Sequence, residues 1–195
     1  MSLKIIYAGY SKCRTKTITK ALKILGFSVY DFNEHAINCY QGWYDILSGE
    51  KNLSFSEQIK ILQKMYENVD AVVATPIYSF WYELSIAFPE AKVIFYEREI
   101  DSWSLSRAKQ VVATSELTIL PDVVRRSIYY FLAPNSYKIE VNNSLANKMT
   151  LGYFDNFKSI FLENFQPNLF YMKRAYRQHN TDVINKGQPQ KRKLV

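Results

Sequence analysis

Short apolar runs alternate with longer amphipathic segments along the first half of the chain. Four runs of β-prone residues predict buried strands: 4–9, 27–31, 69–75 and 91–97. Between them, apolar residues at helical spacing predict helices: 15–25, 34–48, 55–67 and 80–88. Strands that are apolar throughout and alternate with helices are typical of a parallel sheet covered on both faces. The pattern predicts a three-layer α/β/α fold around a parallel sheet of about four to five strands.

Helix-end signals and a helical second half complete the pattern. Gly26 stands where the C-terminal cap of the first helix belongs, and Asp101 is predicted to cap a helix that has Trp103 in its first turn. The stretch 112–180 is helical and rich in aromatic residues. Residues 191–195 look like the opening of one more strand.

The composition fits one globular domain that covers 1–195. A hydrophobic fraction of 48% with 15% aromatic residues excludes a disordered chain, and two cysteines are too few for a disulfide framework. No charged and then apolar leader precedes Lys4, and no apolar run approaches the length of a membrane span. We therefore expect a cytoplasmic protein that has no membrane partner.

The net charge of +7 invites a nucleic-acid interpretation, so its distribution matters. Residues 171–195 hold seven Lys and Arg side chains against Asp182 alone. The basic excess therefore lies in the C-terminal segment and not along a stripe with interleaved aromatic residues. Such a segment is typical of a solvated end, and we expect no nucleic-acid partner.

The turn between the first strand and the first helix carries the candidate chemistry. Residues 9–17 read GYSKCRTKT and hold three cations and two threonine hydroxyl groups. Helix N-terminal N–H groups and cations at this position of a parallel α/β fold form an anion site. The Walker A pattern fails at Arg14, which disfavours an ordinary NTPase or a small kinase of the same topology. A basic surface turn that merely starts a helix is the structural alternative.

Residues 9–17, followed by AL at 21–22 and LG at 25–26, resemble the 5′-phosphosulfate loop of a divergent P-loop-like sulfotransferase family. The resemblance extends over nearly the whole chain. The segment from Phe80 to Ile94 is similar to the family's FW-x-EL…YPDAKVIL stretch, and 176–183 is similar to its Y-x-x-HN-x-x-V ending. The resemblance implies the P-loop-like sulfotransferase architecture.

The resemblance also implies the donor PAPS (3′-phosphoadenosine 5′-phosphosulfate) as co-substrate, with no metal ion. Lys12 would be the catalytic cation that neutralises the leaving phosphate. The donor-binding residues of the loop would be Ser11, Lys12, Cys13, Arg14, Thr15, Lys16 and Thr17. Arg98 and Ser106, eight positions apart, match the family's pair for the 3′-phosphate. Arg98 also lies at the carboxyl end of the fourth predicted strand, where ligands bind in open parallel sheets. The alternative role for Arg98 is an ion pair with Glu99 or Asp101.

Two positions depart from the family's pattern. Arg14 replaces the loop glycine in the preferred alignment, whereas a second alignment makes Arg14 the phosphate-binding cation and puts Lys16 at the glycine. Ala74 stands where the family has the aspartate that takes the acceptor's proton, and alanine cannot accept one. Glu83 or His35 could be recruited instead, although His35 is interpreted first as a surface histidine at a helix start.

A third departure is length, because the family continues past the LV at 194–195 into a C-terminal helix. Either the sequence is a fragment or its last strand ends the molecule, and in the second case an uncovered sheet edge would favour a homodimer or low stability. The resemblance thus implies a sulfotransferase that moves a sulfuryl group from PAPS to a hydroxyl or amine of a small-molecule acceptor. Aromatic residues of 122–176 would line the acceptor pocket. The alternative is a catalytically impaired relative that binds PAPS, its bisphosphate product or a partner without turnover.

Overall fold

Four parallel strands form the centre of the molecule. The structure is a computed structural model that describes residues 3–116, 130–136, 138 and 168–187. The strands run in the spatial order β2-β3-β1-β4. Their bounds are β1 Ile5–Tyr7, β2 Val29–Tyr30, β3 Ala71–Val72 and β4 Lys92–Ile94. In register, Ile5 lies between Ala71 and Lys92 of the two neighbouring strands. The predicted α/β class with a parallel sheet is confirmed.

Helices cover both faces of this sheet. Their bounds are α1 Thr15–Ile24, α2 Phe32–Asn38, α3 Tyr40–Leu47, α4 Phe55–Met65, α5 Trp81–Ala87, α6 Ile100–Glu116 and α7 Leu169–Gly187. A 3₁₀ turn, Ile77–Ser79, precedes α5. Successive strand residues point to opposite faces. Ile6 therefore packs with Trp43 and Leu62 on one side, and Ile5 packs with Leu22 on the other.

The end of α1 follows the sequence signal closely. Gly26 has φ +86°, its N–H donates to the Lys23 carbonyl at 3.1 Å, and the Phe27 N–H donates to the Leu22 carbonyl at 3.1 Å. These two bonds define a Schellman motif, which needs the left-handed conformation that glycine adopts without strain. The predicted C-terminal cap is confirmed.

The single helix predicted over 34–48 is wrong, because the structure divides it into α2 and α3 at Cys39. The side chain of Asp31 starts α2 by accepting a hydrogen bond from the Phe32 N–H at 2.7 Å. Glu34 completes this capping box by accepting from the Asp31 N–H at 3.1 Å. The apolar spacing continues through Cys39, so periodicity alone does not reveal the break.

The start of α6 also differs from the prediction. The carboxylate of Glu99 accepts hydrogen bonds from the N–H groups of Asp101 and Ser102, both at 2.7 Å. Glu99 is therefore the capping side chain, and Asp101 lies within the first turn, where its carboxylate contacts Lys173 of α7. Trp103 does lie in the first turn, with its N–H bonded to the Glu99 carbonyl at 2.9 Å.

Helix α7 returns the chain to the edge of the sheet that carries the loop after β1. One face of α7 is buried, and its residues are spaced three or four positions apart: Met172, Tyr176, Asn180, Val183 and Gly187. The described ends of the aromatic-rich region are helical as predicted, in α6 and α7. Residues 117–129, 137 and 139–167 of this region, and the strand predicted over 191–195, lie outside the described residues. No helix in the described ranges has the length and hydropathy needed to cross a membrane.

Candidate functional site

The loops that follow β1, β3 and β4 meet at one edge of the sheet. Strand β1 lies between β3 and β4, and all three run in the same direction. The chain leaves β1 toward β2 on one side and leaves β3 toward β4 on the other. Such a reversal opens a crevice at the carboxyl ends of the strands, where parallel α/β proteins bind ligands.

The loop of residues 8–14 adopts an unusual backbone conformation before α1. Lys12 has φ 70° and Arg14 has φ 59°, both in the left-handed region. A Cβ atom at Gly9 would lie 2.4 Å from the ring of Tyr7, so only glycine fits there. The Tyr7 hydroxyl in turn donates a hydrogen bond to the Cys13 carbonyl. The loop is therefore folded tightly around the ring of Tyr7.

The N-terminus of α1 has no side-chain cap. Arg14 occupies the N-cap position without a capping hydrogen bond, and no acidic residue lies in the first turn. The Ile18 N–H makes the first intrahelical bond, to the Arg14 carbonyl at 3.0 Å. The N–H groups of Thr15, Lys16 and Thr17 precede it and have no acceptor within the helix. The partial positive charge of these N–H groups lies at the start of α1, next to the loop, and this charge suits the binding of an anion.

Two of the predicted loop side chains are engaged with other parts of the protein. Lys16 donates to the Asp31 carboxylate at 2.9 Å, and the Lys16 side chain is still 81% exposed. Burial opposes ionisation of Asp31, but hydrogen bonds from Lys16 and the Phe32 N–H outweigh it and hold the pKa of Asp31 below its ordinary value. Cys13 is buried, its thiol lies 3.5 Å from the Tyr176 hydroxyl, and burial raises the pKa of the thiol.

Arg98 and the loop come together. The Arg98 guanidinium, through Nη1, donates to the Lys12 carbonyl at 3.4 Å. The alternative of an ion pair with Glu99 or Asp101 is not seen among the described residues, where Glu99 caps α6 and Asp101 pairs with Lys173. The two elements that the sequence separates by more than eighty positions therefore share one crevice.

Ser106 and Arg14 are the two remaining predicted positions whose surroundings the structure defines. Ser106 is a half-buried residue in the second turn of α6, the helix that begins just after Arg98. Arg14 directs its guanidinium over the ring of Tyr96, with the Cζ atom 5.1 Å from the ring centroid. Because left-handed φ is the conformation that glycine favours, the geometry of Arg14 supports the alignment that puts it at the family's glycine position.

An aromatic cluster underlies the loop, and sequence reasoning did not assign it a role. Its members are Tyr10, Tyr78, Trp103, Tyr176 and His179. Tyr10 stacks on Tyr78 with ring centroids 4.4 Å apart, and Trp103 stacks on Tyr176 at 4.2 Å. The Trp103 indole N–H donates to the Ser11 carbonyl at 2.8 Å, and Nε2 of His179 donates to the Ala8 carbonyl at 2.8 Å.

The loop after β3 contains the candidate bases. Ala74 is buried with φ 74°, and no carboxylate replaces it at that position. The interpretation of His35 as a surface residue is wrong, because its side chain is 1% exposed. His35 donates from Nε2 to the Val73 carbonyl at 2.9 Å and accepts at Nδ1 from the Tyr66 hydroxyl at 3.0 Å. Burial lowers the pKa of His35 to about 4, so the imidazole is neutral and both nitrogens are in use.

Glu83 has a different environment from His35. It lies in the first turn of α5, shortly after Tyr78, whose ring stacks on Tyr10 of the loop. Its Oε2 atom is buried and has no hydrogen-bond partner in the part of the chain that the structure describes. A carboxylate oxygen in this state has the capacity to accept a proton or a hydrogen bond. Within the same described ranges, no group of three His, Cys, Asp or Glu side chains is arranged to hold a metal ion.

The parallel sheet with an amide-rich turn between β1 and α1 defines an α/β protein of P-loop-like architecture. Comparison with known families identifies the particular one: the model described as "Sulfotransferase domain" matches residues 4–195. A curated relative, the Ava biosynthesis cluster protein M of Aspergillus versicolor, is 31% identical over 104 residues, or 52% of this chain. The match spans 40% of that relative's length. The chain belongs to the sulfotransferase domain family.

Proposed function

We propose that the protein binds PAPS in the crevice between the loop after β1 and Arg98, and transfers its sulfuryl group to a small-molecule hydroxyl or amine. The observation that carries the proposal is the 3.4 Å contact between the Arg98 guanidinium and the Lys12 carbonyl. A nucleotide with phosphate groups at both ends of its ribose needs two anion sites in one crevice. The loop and Arg98 supply these two sites.

The loop would hold the 5′-phosphosulfate. The amides of Thr15 to Thr17 carry the positive end of the α1 dipole, and Lys12 adds a full charge beside them. Cys13 serves as an anchor of the loop, because its N–H donates to the Tyr10 carbonyl at 3.0 Å and its side chain points inward. Arg98, with Ser106 on the following helix, would hold the 3′-phosphate; a guanidinium fork suits a phosphate group.

Sulfuryl transfer needs positioning and charge neutralisation. PAPS supplies an electrophilic sulfur atom and a bisphosphate leaving group. A bond forms between the acceptor oxygen or nitrogen and sulfur, while the bond between sulfur and the bridging phosphate oxygen breaks. Lys12 and the first-turn amides would stabilise the charge that gathers on the leaving phosphate. The acceptor's proton must pass to a base.

Glu83 is the residue that we assign as this base. His35 is excluded as a base because both of its nitrogens already make hydrogen bonds inside the core. Glu83 retains a buried carboxylate oxygen that no described group engages. It also lies on the element that follows Ala74, the position of the family's aspartate, by way of the 3₁₀ turn.

A second candidate function is donor binding without turnover, and Ala74 is the observation that favours it. The position carries a methyl group where the family's base stands, and Ala74 is buried. If Glu83 does not reach the acceptor, the protein would bind the nucleotide and leave the acceptor unreacted.

One pair of measurements separates these functions. Thermal unfolding is followed with adenosine 3′,5′-bisphosphate (3′,5′-ADP) and with ATP, and transfer from sulfur-labelled PAPS is followed into a pool of phenols, alcohols and amines. The proposal expects stabilisation by 3′,5′-ADP but not by ATP, and labelled product that falls about 10²–10⁴-fold in Glu83→Gln. Stabilisation without labelled product indicates the binding protein. Stabilisation by ATP alone contradicts both candidates.

A further inference from the structure

The hydroxyl group of Tyr176 lies at the junction between the loop and the end of β4. It accepts a hydrogen bond from the Arg98 N–H at 2.8 Å and donates to the Arg98 carbonyl, also at 2.8 Å. The Cys13 thiol lies 3.5 Å from the same oxygen. The Tyr176 side chain is 1% exposed, so these partners cannot be replaced by bulk water. One buried hydroxyl group therefore contacts both predicted phosphate-binding elements.

The ring of Tyr176 extends this link to the rest of the loop. It stacks on Trp103 with an interplanar angle of 13°, and Trp103 bonds the Ser11 carbonyl. His179 lies about one turn further along α7 and bonds the Ala8 carbonyl. Helix α7 and its stacked partner thus hold the loop at three points along its length. The same helix holds Arg98 by its backbone.

This arrangement differs from that of an ordinary buried tyrosine in the same molecule. Tyr66 is also buried, and its hydroxyl accepts from Trp43 Nε1 at 3.0 Å and donates to His35. Its partners belong to the core between the sheet and α2 to α4 and do not include the loop. Tyr66 therefore offers a matched reference for the loss of a buried, fully bonded tyrosine hydroxyl group.

We propose that Tyr176 is a positioning residue that fixes Arg98 relative to the loop and thereby sets the distance between the two phosphate sites. This inference rests on the proposed function. A fixed distance between the sites increases the affinity for a nucleotide that carries both phosphate groups, because the second group binds a site that is already in place. Without the hydroxyl group, Arg98 is free to shift, and the 3′-phosphate no longer increases the affinity of the nucleotide. Tyr176 would then determine selectivity for a 3′,5′-bisphosphate without touching it.

The test measures the dissociation constants of 3′,5′-ADP and 5′-AMP by titration calorimetry for the full chain and for Tyr176→Phe and Tyr66→Phe. The full chain is expected to prefer the bisphosphate at least about tenfold, since a charge-assisted phosphate contact is worth that factor or more. Tyr176→Phe should reduce the preference to about threefold or less, through weaker binding of 3′,5′-ADP alone. Tyr66→Phe should keep the full preference.

Each other result overturns a stated part of the argument. An unchanged preference in Tyr176→Phe, or an equal loss for both nucleotides, contradicts the positioning role and leaves the proposed function standing. A full chain with no preference for the bisphosphate contradicts the proposed function itself. If Tyr176→Phe does not fold, Tyr176→His replaces it, because it removes the hydroxyl group and keeps an aromatic ring against Trp103. An unchanged preference in Tyr176→His overturns the inference in that event.

Discussion

Helices α1 and α4 have ten and eleven residues, and their N-termini are capped in opposite ways. Ser54 caps α4 with its side chain, and Glu57 accepts a hydrogen bond from the Ser54 N–H at 2.8 Å. Asp31 and Glu34 do the same for α2. At α1, the N-cap residue is Arg14 in a left-handed conformation, with no capping bond. Of these three helix N-termini, those of α2 and α4 are closed by their own side chains and that of α1 is open. Helices α3 and α5 also begin without a side-chain cap, but no Lys or Arg lies at either start.

The contrast teaches how function alters local sequence rules. An acidic first turn satisfies the amides of a helix start and stabilises it by about 1 kcal/mol. The α1 turn gives up that stabilisation and gathers Lys12, Arg14 and Lys16 in its place. Departures from local rules that remain in a folded protein mark functional sites. We therefore interpret the open end as the place of an external anion.

The largest expected effect comes from removing the cation of the open end. Lys12→Ala should weaken binding of 3′,5′-ADP at least about 100-fold, because a charge-assisted contact to a phosphate is lost in a partly buried site. Lysine and alanine both carry a Cβ atom, so the left-handed backbone at position 12 has the same conformational cost with either residue. The free energy of unfolding should therefore hardly change. Titration calorimetry checks the affinity, with Lys20→Ala on the exposed face of α1 as the control. Unchanged affinity in Lys12→Ala would reject the loop as the phosphate site.

The closed end of α2 carries the next effect, a dependence of stability on pH. Burial lowers the pKa of His35 from 6.5 to about 4 in the folded protein. As pH falls below 6.5, the unfolded chain binds a proton that the folded chain does not, so stability is lost until pH reaches about 4. Between pH 7 and 4.5 this amounts to about 2 kcal/mol.

Urea unfolding at pH 7 and at pH 4.5 measures this loss. Asp31, with its lowered pKa, also loses stabilisation as pH falls, so the comparison needs His35→Gln. That variant should be less stable at pH 7 but should lose about 2 kcal/mol less on acidification than the unaltered chain. An equal loss in both proteins would show that His35 does not titrate as its surroundings require.

Opening the closed end of α4 is expected to have a smaller effect. Ser54→Ala removes the side-chain acceptor of a capping box and should reduce the free energy of unfolding by about 1 kcal/mol. The affinity for 3′,5′-ADP should stay the same, because Ser54 and Glu57 bond to each other and not to the loop or Arg98. Denaturant unfolding and calorimetry on the same sample test both statements. A loss of affinity would mean that the two ends are not independent.

The smallest expected effect follows from restoring glycine to the open end. Arg14→Gly relieves a left-handed backbone cost of about 1 kcal/mol and removes a contact with Tyr96 of about 0.5–1 kcal/mol. The free energy of unfolding should therefore change by less than about 0.5 kcal/mol. The affinity for 3′,5′-ADP should stay within about threefold. A tenfold loss would instead support the alignment in which Arg14 is the phosphate-binding cation.

Much of the fold follows from local signals. Four apolar runs predict the strands, and Gly26 predicts the end of α1, because strand propensity and helix capping depend mainly on neighbouring residues. Periodicity does not predict the break at Cys39, because helical spacing persists on both sides of it. Aspartate is a favoured capping type, which makes Asp101 the predicted cap, but Glu99, two residues earlier, reaches the free amides.

The candidate site was predictable in part. The loop and Arg98 follow strand ends, so topology alone brings them to one edge. The role of α7 was not predictable, because its hydrogen bonds join residues far apart in the sequence. Tyr176 bonds Arg98 at a separation of 78 residues, and His179 bonds Ala8 at a separation of 171. The pattern Y-x-x-HN-x-x-V was visible as a resemblance. Its residues form a buried helix face, and nothing in that spacing says which loop the face will contact.

The central claim is that the loop and Arg98 bind the two ends of one nucleotide. Binding of 3′,5′-ADP and 5′-AMP to Arg98→Ala tests it most directly, by calorimetry beside the unaltered chain. The account predicts that Arg98→Ala binds 3′,5′-ADP only as tightly as 5′-AMP, while 5′-AMP binds as it does to the unaltered chain. A full preference for 3′,5′-ADP in Arg98→Ala, or an equal loss for both nucleotides, would contradict it.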